Sequence, residues 1–213
     1  MKRSYAVFGL GEFGRSISRE LFKMGADVLA CDVDEMRTAA IADEVTTALV
    51  FNALDENAYK EIGLSYMDAV IVAMTGSLDA SILAIMAAKD AGVPSVIAKA
   101  ADDLQKNIFE KVGATKIVLP ERDGGIRLAR NILAGNFLDY IELSDKIRLV
   151  ESKVQQEWVG KTLKDLNLRG KYNLNVIAIN RDNDMITSIN PNLVFCENDT
   201  VLVITDSRHL HEI

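Results

Sequence analysis

Short apolar runs rich in Val, Ile, Leu and Ala recur through the first half of the sequence, at residues 5–8, 28–31, 48–51, 69–73, 96–98 and 117–119. Between them lie stretches compatible with helix, at 14–24, 35–42, 56–62, 78–91 and 104–112, and Gly25, Gly63, Gly92 and Gly113 stand just past four of these. Glycine there accepts the left-handed backbone that ends a helix without a Cβ clash. Strand and helix in steady alternation specify crossover connections, and runs that are apolar throughout specify strands buried on both faces. The expected fold class is α/β: a doubly wound parallel sheet with helices on both sides.

After the sixth run the rhythm changes. Asp123 is placed to cap a helix that carries Ile126, Ala129, Leu133 and Phe137 on one face and ends near Asp139. That stripe must bury against its own domain or against a second copy of the chain. From Arg148 onward, stronger alternation predicts strands at 149–154, 176–181, 185–189 and 200–205, a short helix at 162–166, and turns at Asp182-Asn183-Asp184 and Asn190-Pro191-Asn192. The 213 residues accommodate a medium domain and a small companion. The expected division is a Rossmann-like doubly wound domain at 1–122, a crossover helix and linker at 123–143, and a small α+β domain at 144–213.

Composition narrows the classes of function. The net charge is −7 and no dense Lys/Arg run occurs, so nucleic acid is not an expected partner. No apolar run approaches the ~20 residues of a membrane-spanning helix. The first strand-like segment begins at Ser4, which leaves no room for a signal sequence, so a cytoplasmic location is expected. Cys31 and Cys196 lack CxxC spacing and are expected to be packing residues.

The chemistry is carried by Gly9-Leu10-Gly11-Glu12-Phe13-Gly14, a Gly-x-Gly-x-x-Gly hexad directly after the first strand and opening the first helix. In this context Gly9 allows the tight turn, Gly11 lets the backbone approach a pyrophosphate, and Gly14 allows close packing of helix on strand. The helix N-terminus supplies free N–H groups and a positive dipole end. Asp32, 23 residues after Gly9, ends the second strand as an acceptor for ribose hydroxyls whose charge repels a 2′-phosphate. Asp32 can also cap the helix that starts near Asp34. Asn52 and Ala53 after the third strand, and Ala73, Met74 and Thr75 after the fourth, stand at strand carboxyl ends as walls for adenine and ribose.

Two other patterns are set aside. Gly160-Lys161-Thr162 imitates a Walker A tail, but Gln155 stands where the loop's first glycine is required, so a turn and helix start are expected. His209 and His211 form an HxH pair without the further ligands a metal site needs. A dehydrogenase needs a proton donor or acceptor beside the nicotinamide, and the scarcity of such groups favours a module that reads a nucleotide over one that transforms it.

The residues resemble the RCK (KTN) regulatory subunits of bacterial potassium uptake systems, of the KtrA/TrkA type. The resemblance covers essentially the whole chain. It rests on Tyr5-Ala-Val-Phe-Gly-Leu-Gly-Glu-Phe-Gly14, Cys31-Asp-Val-Asp34, Asn52-Ala-Leu-Asp55, Val96-Ile-Ala-Lys-Ala100, Pro120-Glu-Arg-Asp123 and Leu138-Asp-Tyr-Ile-Glu-Leu-Ser144. In the second domain it rests on Leu163-Lys-Asp-Leu-Asn-Leu-Arg169 and Asn198-Asp-Thr-Val-Leu-Val-Ile204. It implies a Rossmann-like RCK N-domain, a crossover helix and an RCK C-terminal domain. It also implies a homodimer assembling into an octameric ring on the inner face of a membrane potassium channel or transporter of the KtrB/TrkH type.

By the same resemblance the ligand is an adenine nucleotide, ATP or ADP in the KtrA-like branch and NAD(H) in the TrkA-like one. Asp32, with Val33 and Asp34 beside it, would hold ribose, Asn52 and Ala53 would lie near adenine, and Lys99 would face the site. Glu121 would help hold a divalent cation, Mg²⁺ or Ca²⁺, at the dimer interface. The residue-level alternative for Glu121 is a carboxylate at a helix entry. Cyclic di-AMP would bind the C-domain around Leu163, Asn167, Arg169 and residues 176–179, a region that otherwise reads as a dimer-packing surface. One position departs from the pattern: Glu12 stands where KtrA-like chains carry Arg. A carboxylate there repels a γ-phosphate, Arg15 is a candidate substitute, and ADP, AMP or NAD(H) gain ground over ATP. The rival functions are a small NAD-dependent oxidoreductase and a free-standing nucleotide or redox sensor.

Overall fold

The structure, a computed structural model, describes residues 2–134, 137–144, 146–206 and 208, and divides into two compact units, Met1–Arg122 and Asp123–Ile213. In the first unit β1 (Ser4–Phe8), β2 (Asp27–Asp32), β3 (Thr47–Val50), β4 (Ala69–Val72), β5 (Val96–Lys99) and β6 (Lys116–Val118) form one sheet in the order β3-β2-β1-β4-β5-β6. Every pairing is parallel. Between the strands run α1 (Glu12–Lys23), α2 (Glu35–Ala39), α3 (Ala58–Glu61), α4 (Leu78–Asp90) and α5 (Asp103–Val112), and α6 (Pro120–Ala134) follows β6.

The apolar runs explain the layers. Successive strand residues point to opposite faces, and both faces are covered. Ala6, Phe8, Val70 and Val72 pack in one cluster with Ala84, Ile85 and Ala88 of α4 and Phe109 of α5. Val7, Val28, Ala30 and Ile71 share the opposite cluster with Ile17 and Leu21 of α1. Burying a ring such as Phe8 contributes about 1.5–3 kcal/mol. The helix ends follow local chemistry: Asp34 accepts the Met36 N–H at 2.9 Å to cap α2, Asp102 accepts that of Gln105 at 2.8 Å to cap α5, and Gly113, at φ +112°, stops α5. The strand order reverses between β1 and β4, so the loops leaving their carboxyl ends diverge and open a crevice.

The second unit carries β7 (Phe137–Glu142), β8 (Ile147–Lys153), β9 (Asn175–Arg181), β10 (Asp184–Ile186) and β11 (Thr200–Asp206), paired antiparallel in the order β10-β9-β11-β8-β7. Two short helices, α7 (Leu163–Leu166) and α8 (Leu168–Tyr172), join its core of Val150, Trp158, Leu166, Leu168, Leu174, Ile179, Phe195, Val201 and Val203. The turn expected at Asp182-Asn183-Asp184 is a two-residue hairpin turn of Asp182 and Asn183, both at positive φ, with Asp184 already paired in β10. Thr162 caps α7 through a reciprocal bond pattern with Asp165, which accounts for the Gly-Lys-Thr tripeptide.

The structure corrects the segment after β6. The helix expected from Asp123 to Asp139 begins at Pro120 and ends at Ala134, and residues 137–142 are a strand of the second sheet. Proline fits the first helical turn because its missing N–H would have no partner there. The stretch Phe-Leu-Asp-Tyr-Ile-Glu has β-favouring residues, which pairing with β8 exploits. Ile126 is 44% exposed and Ala129 is exposed as well, while the side chains of Leu133, Phe137 and Asp139 lie outside the described part of the chain. Cys31 is buried, but Cys196 is exposed and is not a packing residue. His209 and His211 lie outside the described residues.

Candidate functional site: the cleft at the carboxyl ends of β1 to β4

The chain leaves β1 at Phe8 and turns into α1 through the glycine loop. Gly9, at φ +92°, donates its N–H to the Cys31 carbonyl at 2.8 Å, and a Cβ there would fall 2.7 Å from the Met74 side chain and 2.9 Å from the Ala73 backbone. A Cβ on Gly14 would stand 1.8 Å from the Gly9 carbonyl oxygen. Packing within the protein therefore requires both glycines. It does not require Gly11, whose φ of −65° suits any residue and whose Cβ would meet nothing within 4 Å. Gly11 is the N-cap of α1 and offers no side chain to the first-turn N–H groups, which leaves them and the dipole end to an outside acceptor.

Beside this loop lies a cleft of about 480 Å³. The structure brings together Gly9 and Gly11 from β1, Asp32 and Val33 from β2, Asn52 and Ala53 from β3, and Ala73, Met74 and Thr75 from β4. Asp32 is buried: one carboxylate oxygen accepts the Leu10 N–H at 2.6 Å and the other the Asp34 N–H at 2.9 Å. The helix-capping role belongs to Asp34, so Asp32 serves to join the glycine loop to the β2–α2 turn. Arg37 of α2, absent from the sequence expectations, lines the same cleft with its guanidinium 3.6 Å from Asp32 and 3.4 Å from Asp34. Its signal was the spacing: one turn after Asp34, an Arg head can reach back to the end of β2.

The wall after β3 is held by several bonds. The Phe51 N–H donates to the Asp32 carbonyl at 2.8 Å, and the Leu54 N–H donates to the Asn52 side-chain oxygen at 3.0 Å. Tyr59 of α3, buried between Phe8 and Phe51, donates its hydroxyl to the Ala53 carbonyl at 2.8 Å. Burial pushes the Tyr59 phenol up, which keeps it a donor, and burial pushes the neighbouring Cys31 thiol up to about 12. On the fourth-strand side the Ser81 hydroxyl lies 2.8 Å from the carbonyls of Met74 and Ser77 and ties that turn to α4.

The remaining expected residues stand apart from the cleft lining. Leu10 is fully buried in the core under α1. Arg15 is bound at 2.7 Å by Glu12, whose side chain is 84% exposed, so the two residues singled out for phosphate selectivity engage each other. The Lys99 ammonium, at the end of β5, lies 5.6 Å from the centre of the Phe13 ring and 2.6 Å from the Glu121 carboxylate. That hydrogen bond from Lys99 holds the Glu121 carboxyl below the usual carboxylate range. Among the described residues no cluster of three or more His, Cys, Asp or Glu side chains is placed to hold a metal ion. In the second unit, Leu163, Asn167, Arg169 and Val176 line one cleft of about 480 Å³ with Lys164 and Pro191, whereas Ala178 and Ile179 are buried in the core.

A parallel sheet with a glycine-loop crevice at its switch point, followed by a small antiparallel domain, defines a Rossmann-like domain joined to a second α+β unit. Comparison with known proteins gives the family. The TrkA-N domain model matches residues 5–120 and the TrkA-C domain model residues 149–213. The chain belongs to the TrkA-N/TrkA-C family. It is 40% identical to the Ktr system potassium uptake protein C of Bacillus subtilis (strain 168), across 96% of this chain and 92% of that one. It is 35% identical to protein A of the same system and organism, across 98% and 94%. The fold is similar to the GsuK RCK domain, with a TM-score of 0.66 and 14% identity over 99% of this chain and 46% of that one. No helix among the described residues is long and apolar enough to cross a membrane.

Proposed function

We propose that this chain is a regulatory subunit of a potassium uptake system, and that an adenine nucleotide in the β1–β4 cleft sets its conformation. The observation that carries the reading is Gly11: the one hexad glycine the protein's own packing does not require sits at an uncapped helix N-terminus beside a buried ribose-type carboxylate. Gly9, Gly11 and the α1 terminus would take the phosphates, Asp32 the ribose hydroxyls, the Asn52–Ala53 turn the base, and the Met74–Thr75 turn the base and sugar. Asp32 and Arg37 are the titratable side chains lining the cleft, which suits binding rather than acid–base chemistry. A ligand gates by binding two conformations unequally, and the shift equals that difference in affinity.

The relatives' names support potassium uptake as the process. The assembly in this reading is a homodimer built into an octameric ring, docked at the cytoplasmic face on a channel or transporter of the KtrB/TrkH type. A divalent cation at Glu121 would compete with Lys99 for the carboxylate, so cation binding and release of that ion pair would be linked. In the second unit, Arg169 and Lys164 over an apolar floor suit the phosphates and bases of cyclic di-AMP.

The test is calorimetry of the purified chain against ATP, ADP, AMP and NADH with and without Mg²⁺, paired with potassium uptake in cells expressing the membrane partner. Binding of at least one nucleotide is expected, lost together with regulated uptake in Asp32→Ala. Uptake that responds normally when the cleft binds nothing would overturn the proposal.

A further inference from the structure

We propose that Tyr59 is a positioning residue for the base of the bound nucleotide: its buried hydroxyl pins the Ala53 carbonyl and thereby fixes the turn that walls the base side of the cleft. The inference rests on the nucleotide reading given above and deepens it. Tyr59 belongs to α3, outside the cleft lining, and its ring is wedged edge-on against Phe8 and Phe51 at 5.6 and 5.0 Å between centres. From that position its hydroxyl reaches the Ala53 carbonyl at 2.8 Å, six residues back along the chain. Ala53 itself lines the cleft and is 7% exposed.

The consequence follows from how buried carbonyls behave. A buried carbonyl without a donor is costly, so it turns toward the nearest water. Released from Tyr59, the Ala53 carbonyl would lose the donor that ties its peptide to α3, and the turn that walls the base side of the cleft would shift with it. The Leu54 N–H, on the other edge of this same peptide plane, is held by the Asn52 side chain, and the Phe51 N–H on Asp32 and the Asp55 N–H on the Asn52 carbonyl hold the flanks, so the Tyr59 hydroxyl supplies the bond that ties the turn to α3. Asp32 and the glycine loop keep their own bonds, so the sugar and phosphate positions do not depend on Tyr59.

The experiment compares AMP with ribose 5-phosphate in wild type and Tyr59→Phe, by calorimetry and by competition in ligand-observed NMR. The variant keeps the ring packed and removes only the hydroxyl. The expected result is an AMP affinity about 3- to 10-fold weaker, the range of one net hydrogen bond, with ribose 5-phosphate affinity unchanged. A purely structural role for Tyr59 would move both affinities together or neither, and either outcome overturns the proposal while leaving the nucleotide reading intact. Wild-type protein that binds neither ligand overturns both.

Discussion

Replacing Gly11 and Gly14 separately by alanine should have opposite consequences, although the two glycines belong to one hexad. At position 14 the new Cβ would stand 1.8 Å from the Gly9 carbonyl oxygen, a backbone atom fixed by the adjoining strand, and 3.0 Å from the Gly9 carbonyl carbon. Relief requires α1 to move off the sheet, so the cost is that of overpacking, about 1–3 kcal/mol or more. At position 11 the Cβ meets nothing within 4 Å and the backbone is in an ordinary region. There the loss of a glycine N-cap, a fraction of a kcal/mol, is offset by the ~0.4–1 kcal/mol gained from a stiffer unfolded chain. Net stability should change by less than about 0.5 kcal/mol. The methyl would, however, occupy the approach of the phosphates to the helix N-terminus, displacing at least one charge-assisted bond worth about 1.5–3 kcal/mol, or more than about tenfold in affinity. Urea unfolding and nucleotide calorimetry on both variants separate the effects. Gly11→Ala that is as unstable as Gly14→Ala, or that binds every nucleotide normally, would refute the assignment of Gly11 to ligand approach.

Asp32→Ala should weaken every ribonucleotide by about 1.5–3 kcal/mol, the worth of a charged acceptor, and also lower stability because it strips bonds from Leu10 and Asp34; calorimetry and thermal unfolding report the two effects. In the second unit, the paired Arg181 guanidinium and then the Cys196 N–H hold the buried Asp199 carboxyl below the usual range. Because the folded value is depressed, the stabilisation is complete above the ordinary carboxylate value and is lost as pH falls from about 4 through the lowered one. Arg181 is one-third exposed, so the pair is worth only about 1–2 kcal/mol. Trp158, the single tryptophan, lies in that core and reports the transition by fluorescence; Asp199→Asn should lower neutral-pH stability and flatten this acid dependence, and an unaltered acid profile would refute the assignment.

Much of the fold was legible because local signals agreed. The six apolar runs and the glycine stops all point to one parallel sheet, and the strands formed near where the runs lie. The failure between 120 and 142 has a local cause: an amphipathic stripe continued on paper past Ala134, where strand pairing with β8 claimed residues 137–142. Periodicity does not register a distant partner strand, and pairing decided the matter.

The same division applies to the site. The sequence alone determined the hexad after β1, the acid ending β2 and the residues at the carboxyl ends of β3 and β4, because each follows from its place on a strand and strand order then gathers them. Only the tertiary structure decided what each does for its neighbours. It showed that Asp34 rather than Asp32 caps α2, that Glu12 binds Arg15, that Lys99 bridges Phe13 and Glu121, and that Tyr59 holds Ala53. These are choices among partners equally available to a side chain in sequence, and they are settled by which atoms lie within bonding distance once the helices have packed on the sheet.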